Sequence, residues 1–144
     1  MLIQKLAATL IFLAFILGSG GCRPTLAPVY APHTQAGVRS SGSAYTIGEI
    51  KTAVFTGLQN KGWRTISVAP GNVEAEIASG KHTARVKVHY DAQGWAIDYV
   101  SSSPGLKYQQ DSEHGGIIHR RYNHWIRLLD EAISQALPSL PAAK

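Results

Sequence analysis

Between Tyr45 and Leu137 the chain has a helical period at each end and four stretches of alternating apolar and polar residues in between. Thr46-Ile47-Gly48-Glu49 has capping-box spacing, in which the Thr46 hydroxyl accepts from the Glu49 amide and the Glu49 carboxylate accepts from the Thr46 amide. A helix is therefore predicted to begin here. Ile47, Ile50, Val54, Leu58 and the neighbouring Phe55 recur at steps of three and four, and Lys61-Gly62 supplies a cationic last turn followed by a residue that tolerates positive φ. A second helix is predicted from Ile118 to Leu137, with Ile118, Tyr122, Trp125, Leu129, Ile133 and Leu137 along one stripe, Ile126 widening it and Pro138 ending it.

Turn signals at Pro70-Gly71-Asn72, Ser79-Gly80-Lys81-His82 and Asp91-Ala92-Gln93-Gly94 divide the middle into strands at Trp63–Ala69, Val73–Ala78, Thr83–Tyr90 and Trp95–Val100. Connections this short imply an antiparallel meander. Four-residue loops at the second and third turns pair Ala78 with Thr83 and Tyr90 with Trp95. One face then carries Val73, Ala75, Ile77, Ala84, Val86, Val88, Ile97 and Tyr99. The other sets Glu76 against Arg85 and Lys87 between Glu74 and Asp98, cross-strand contacts worth about 0.2–1 kcal/mol each. A slip of one residue would bury those charges, so the register is well determined. The first strand stays open: a two-residue turn at Pro70-Gly71 directs Ile66 and Val68 inward, and a three-residue loop directs them outward. The expected fold class is α+β, a two-layer α-β-β-β-β-α domain over residues 45–137, whose four-stranded antiparallel meander carries both helices on one face.

Upstream, Leu6 to Leu17 is apolar except for Thr9, follows Lys5, and leads through Gly18-Ser19-Gly20-Gly21 to Cys22, the single cysteine of the chain. A stretch of this length is too short to span a bilayer and has the parts of an export signal. Residues 1–21 are read as a signal peptide and 138–144 as a C-terminal tail. An ordinary secretory signal cut near Gly18 to Gly21 would leave a free thiol at the new N-terminus. The small residues before Cys22 instead resemble the bacterial lipobox, although Ser19 stands where that pattern usually has Leu. The resemblance implies cleavage before Cys22, a diacylglyceryl thioether on its sulfur and an acyl chain on its amine, which exceeds the two signals that stable anchoring needs. In lipoproteins of this kind an Asp after the cysteine retains the protein in the inner membrane; Arg23 there implies the inner leaflet of the outer membrane, facing the periplasm.

Residues 22–44 are rich in Pro, Ser and Gly and show neither strand nor helix period, so they are read as a flexible tether with a root-mean-square span of about 25 Å. The chain has 14 Lys and Arg against 9 Asp and Glu, and loss of Lys5 with the signal leaves the rest at about +4. No cationic run exceeds Arg120-Arg121 and none is interleaved with aromatics, so nucleic acid is not an expected partner.

No specific chemistry emerges from the remaining motifs. His114, His119 and His124 lie five residues apart, a step that turns a helix by roughly 500° and points the latter two away from each other. No metal or cofactor is therefore expected. Ser101-Ser102-Ser103 lies within reach of His114 or His119 but lacks the context of a nucleophile elbow. The charged sheet face alternates in sign, as a solvated face does.

The segment from Ser101 to Gly116 is long for a domain of this size, which points to function or disorder. Together with the start of the last helix it offers Leu106, Lys107, Tyr108, His119 and Asn123 as a contact region. Tyr122 and Trp125 serve equally well as core anchors, with His119 and Asn123 bonding loop backbone. The succession Gly62-Trp63, Pro70-Gly71, Leu106-Lys107-Tyr108, Ile118-His119 and Tyr122-Asn123-His124-Trp125 resembles a group of small proteobacterial lipoproteins over essentially Ile47 to Leu137. That group brings no activity with it. The expectation is a membrane-anchored module that binds an envelope protein without catalysis; the alternative is a small-ligand binder or hydrolase using a cleft between residues 101–117 and the last helix.

Overall fold

The fold was examined in a computed structural model that describes residues 25–140. The signal peptide, Cys22 and the last four residues of the C-terminal tail lie outside the described residues. The fold is α+β, with two helices and two antiparallel sheets. In chain order the elements are β1 (Leu26–Pro28), β2 (His33–Gln35), α1 (Ile47–Asn60), β3 (Arg64–Ala69), β4 (Asn72–Ser79), β5 (His82–Tyr90), β6 (Gly94–Ser102), β7 (Ile117–His119) and α2 (Arg120–Ala136). Short 3₁₀ turns lie at Pro104–Leu106 and Leu137–Ser139.

The larger sheet has the order β2-β6-β5-β4-β3, and β1 pairs with β7 in a separate two-stranded sheet. Ala78 faces Thr83 and Tyr90 faces Trp95, the registers that turn spacing implies. Glu76 lies between two arginines, 2.9 Å from Arg64 and 3.1 Å from Arg85, and these hydrogen bonds hold its carboxyl below the usual carboxylate range. Lys87 meets Glu74 at 3.0 Å, while Asp98 turns to His89 at 3.2 Å instead. Val73, Ala75, Val86, Val88 and Ile97 are fully buried and share one core with Ile50, Val54 and Leu58 of α1 and Tyr122, Ile126, Leu129 and Ile133 of α2.

The expected capping box is present: the Thr46 amide donates to Glu49 Oε2 at 2.8 Å and the Glu49 amide to Thr46 Oγ1 at 3.3 Å. Pro70-Gly71 makes a two-residue turn, with Ala69 opposite Asn72 and Val68 opposite the buried Val73. Val68 nevertheless stays 54% exposed, because β3 is the edge strand of the sheet.

Three expectations need correction. The sheet has five strands, not four, because β2 adds to the free edge of β6. The described part of the 22–44 segment is not a structureless tether: Leu26 to Pro28 pair with β7, Ile97 N–H donates to Pro32 O at 3.1 Å, and Arg39 pairs with Glu49 and covers the Tyr45 ring. Its strands are three residues each, too short to show a period. Finally, Ile118 belongs to β7 and not to the last helix, which begins at Arg120 with His119 as its N-cap.

Candidate functional site

The segment from Ser101 to Gly116 is ordered by its own backbone. Pro104–Leu106 forms a 3₁₀ turn, Lys107 takes the left-handed conformation at φ 53°, and Gln109 and Ile117 exchange two amide hydrogen bonds at 3.0 and 2.9 Å. Asp111 closes the tip by accepting from the Glu113 amide at 2.7 Å and the His114 amide at 3.0 Å, which keeps its carboxyl below the usual range.

These contacts redistribute the five residues expected to meet a partner. Leu106 has no exposed surface and is a core residue. Asn123 is also buried, and both ends of its amide are committed: Tyr30 N–H donates to Oδ1 at 2.9 Å and Nδ2 donates to Pro28 O at 2.8 Å. His119 Nδ1 accepts from the Arg121 amide at 3.1 Å. Tyr108 stacks on Tyr99 with ring centroids 4.2 Å apart, and its hydroxyl donates to Gln110 Oε1 at 2.9 Å. Lys107 remains exposed. Of the two roles open for this region, the bonding one is the observed one for Asn123, although its partner is the N-terminal segment and not the loop.

Tyr99 stacks on Tyr108 of the loop and lies edge-on to Tyr122 of α2 at 5.5 Å, so the three rings join residues 101–117 to the last helix. Leu106 and Ile118 are fully buried in the same core. The Tyr122 hydroxyl is buried without a hydrogen-bond partner, and burial pushes its pKa up. Removing an unsatisfied buried hydroxyl spares its desolvation cost. Tyr122→Phe is accordingly expected to raise stability by about 1 kcal/mol, read as a higher urea midpoint at unchanged slope.

A cationic cluster gathers at the end of the molecule where β5 begins. The His82 ring lies against Gly105, where an added Cβ would come within 2.5 Å of it. Burial first, and then the nearby charges of Arg121, Lys81 and His119, hold the His82 pKa below the ordinary histidine value.

The open apolar surface lies on the other side of the sheet from β2. Lys51, Thr52, Phe55, Thr56, Gln59 and Val68 line a groove of about 590 Å³ between α1 and β3. A second cleft of about 440 Å³ continues from Phe55 and Gln59 towards Trp63 and Arg64. β3 is an edge strand, so its outer main-chain groups have no strand partner. From Ile50 to Val73 the sequence holds Lys51, Lys61 and Arg64 and no Asp or Glu. Sequence reading passed over this surface because Phe55 and Val68 carry the same pattern as core residues; the edge position that exposes them is set by strand order. A smaller, more enclosed cleft of about 340 Å³ opens beside β2, where His33 and His89 flank Ala96. Among the described residues no three His, Cys, Asp or Glu side chains are placed to share a metal ion. No helix among them is long and apolar enough to cross a membrane.

Comparison of the chain with protein-family models, with curated proteins and with solved structures gave no significant match.

Proposed function

We propose that this chain is a lipid-anchored, non-catalytic interaction module of a bacterial envelope, held through Cys22 and facing the periplasm from the inner leaflet of the outer membrane. The anchoring half rests on the sequence around Cys22 and its resemblance to a lipobox. The interaction half is carried by the α1–β3 groove, where the half-buried Phe55 and the exposed Val68 form an apolar floor beside a strand edge that has no partner strand among the described residues. The four consecutive strands β3 to β6 act as the platform, with the helices behind them.

The occupant is an extended polypeptide segment with acidic and apolar side chains. Main-chain pairing to β3 would supply affinity and the groove would take alternate side chains. Lys51 and Lys61 select for acidic neighbours, since no carboxylate of the same stretch opposes them, whereas Arg64 is already paired with Glu76. Lipid anchoring raises the local concentration of the module beside an envelope partner.

A photo-crosslinking residue at Val68 in intact cells tests this reading. The captured segment should be acidic, and Lys51→Glu with Lys61→Glu should reduce its yield about tenfold or more, whereas Tyr108→Ala should leave it unchanged. A captured segment without acidic residues, or a yield indifferent to charge reversal, contradicts the proposal.

A further inference from the structure

A main-chain bond three positions after Cys22 bears on more than the location of the domain. Thr25 O accepts from the Arg120 amide at 2.9 Å, and Leu26 pairs with His119. A chain acylated at Cys22 therefore has at most three residue steps between its acylated residue and a bond that ties it to the domain, a reach of about 10 Å even when extended. That reach is close to the Debye length at physiological ionic strength, so charges at this end of the domain feel the headgroups.

The charges there have one sign. Leu26 and His119 meet at the start of α2, where Arg120 and Arg121 follow. The His82 ring is close enough to Arg121, Lys81 and His119 to be affected by their charge, and it packs on Gly105, two residues before the exposed Lys107. Thr25–Pro28, Gly80–Thr83, Ser103–Tyr108 and His119–Arg121 contain no Asp or Glu. Asp111 and Glu113 lie beyond the Gln109–Ile117 bridge, at the opposite end of β7 from His119. Elsewhere Arg39, Arg64, Arg85 and Lys87 are in ion pairs while Lys51, Lys61 and Arg127 are not, and among the described residues none is made by Lys81, Lys107 or Arg121. Arg121 gains nothing from its place in α2: the first turn holds no acidic residue, and arginine is disfavoured at the positive end of a helix dipole.

We propose that the end of the domain bearing Lys81, Lys107, Arg120 and Arg121 docks on an anionic lipid surface, so that the membrane sets the orientation of the domain as well as its location. The inference rests on acylation of Cys22. The turns at Pro70-Gly71 and Asp91–Gln93, at the other end of the strands, then face away from the bilayer.

The test uses the full mature chain, acylated in cells, purified and reconstituted into vesicles whose headgroups carry a spin-label quencher. Cys22 is the only cysteine, so once it is acylated a cysteine introduced elsewhere is the single free thiol for a fluorophore. His124→Cys places the probe one turn along α2 on the face of Arg120 and Arg121, and Gln93→Cys places it at the far turn. In vesicles of mixed phosphatidylglycerol and phosphatidylcholine the probe at 124 should be quenched severalfold more than the probe at 93. Each cation near an anionic surface contributes about fivefold to association, so Lys81→Ala/Lys107→Ala/Arg121→Ala should weaken docking about a hundredfold and abolish the contrast. Pure phosphatidylcholine should abolish it too. Equal quenching at the two sites, or a contrast that persists in neutral vesicles, overturns the orientation while leaving the anchor in place. Protein that carries no fatty acid and stays off both vesicles overturns the anchor reading and this inference together. An unchanged thermal midpoint in the triple variant confirms that it is folded.

Discussion

Asn123→Ala should lower the stability of the domain by about 2–4 kcal/mol, because it strands two main-chain groups at once. Asn123 is 3% exposed, accepts from the Tyr30 amide and donates to the Pro28 carbonyl. Both bonds are part-buried, and the loss of each costs about 1–2 kcal/mol. The loss should be local before it is global. Hydrogen exchange at Val29, Tyr30 and Ala36 should speed up more than exchange at Val86 or Ile97, since the clamp joins the N-terminal segment to α2 and leaves the centre of the sheet untouched. Asn123→Asp separates the two bonds: its carboxylate still accepts from Tyr30 but cannot donate to Pro28, so it should also destabilise. An Asn123→Ala protein with an unchanged urea midpoint would show that the segment from Thr25 to Gln35 is not part of the folding unit.

Gly57→Val should cost about 3 kcal/mol, at the upper end of what overpacking does. Gly57 is the point of closest approach of α1 to α2: a Cβ there would lie 2.6 Å from Ile133 Cγ1 and 2.9 Å from the Ile133 main-chain nitrogen. A side-chain atom can rotate aside, but the main-chain nitrogen moves only if the helices separate. Gly57→Ala gives the more diagnostic sign. Alanine in a helix interior ordinarily gains about 1 kcal/mol over glycine, yet here it should lose stability, although less than valine does. A stabilising Gly57→Ala would mean that the helices pack further apart than the contact at Ile133 requires. Denaturant midpoints of the two variants, compared at constant slope, decide the matter.

What the sequence revealed and what it concealed divide by the range of the interaction. The capping box at Thr46 and Glu49, the two-residue Pro70-Gly71 turn and the pairings of Ala78 with Thr83 and Tyr90 with Trp95 are set within a few residues, and local chemistry is enough to read them. The N-terminal strands are different. Leu-Ala-Pro and His-Thr-Gln carry no period, and their partners stand at Ile117–His119 and Gly94–Ala96, far along the chain. Thr34 and Trp95 illustrate the difficulty, since both donate to Asp130 Oδ1 at 2.8 Å and no motif links the three. The contact region was misread for a related reason. Leu106 and Asn123 sit in a segment rich in polar and aromatic residues, but burial turns one into core and the other into a clamp. Val68 shows the reverse: its place opposite Val73 marks it as inward, and only the position of β3 at the edge leaves it open.

The main-chain bond at Thr25 also bears on the proposed anchoring. With Cys22 acylated as proposed, a long tether would let the domain search a volume above the membrane, whereas a clamp by Asn123 and β7 would hold it at the surface. Partner selection at the α1–β3 groove then depends on which way the domain faces, which links the two proposals through one geometric constraint.

Acylation is the claim on which location, orientation and tethering all depend, and radiolabelled palmitate supplied to growing cells tests it directly. The account predicts label on the mature chain, resistant to hydroxylamine at the amide, and none on Cys22→Ala. Label that persists on Cys22→Ala, or a wild-type chain that is exported without any, would contradict it.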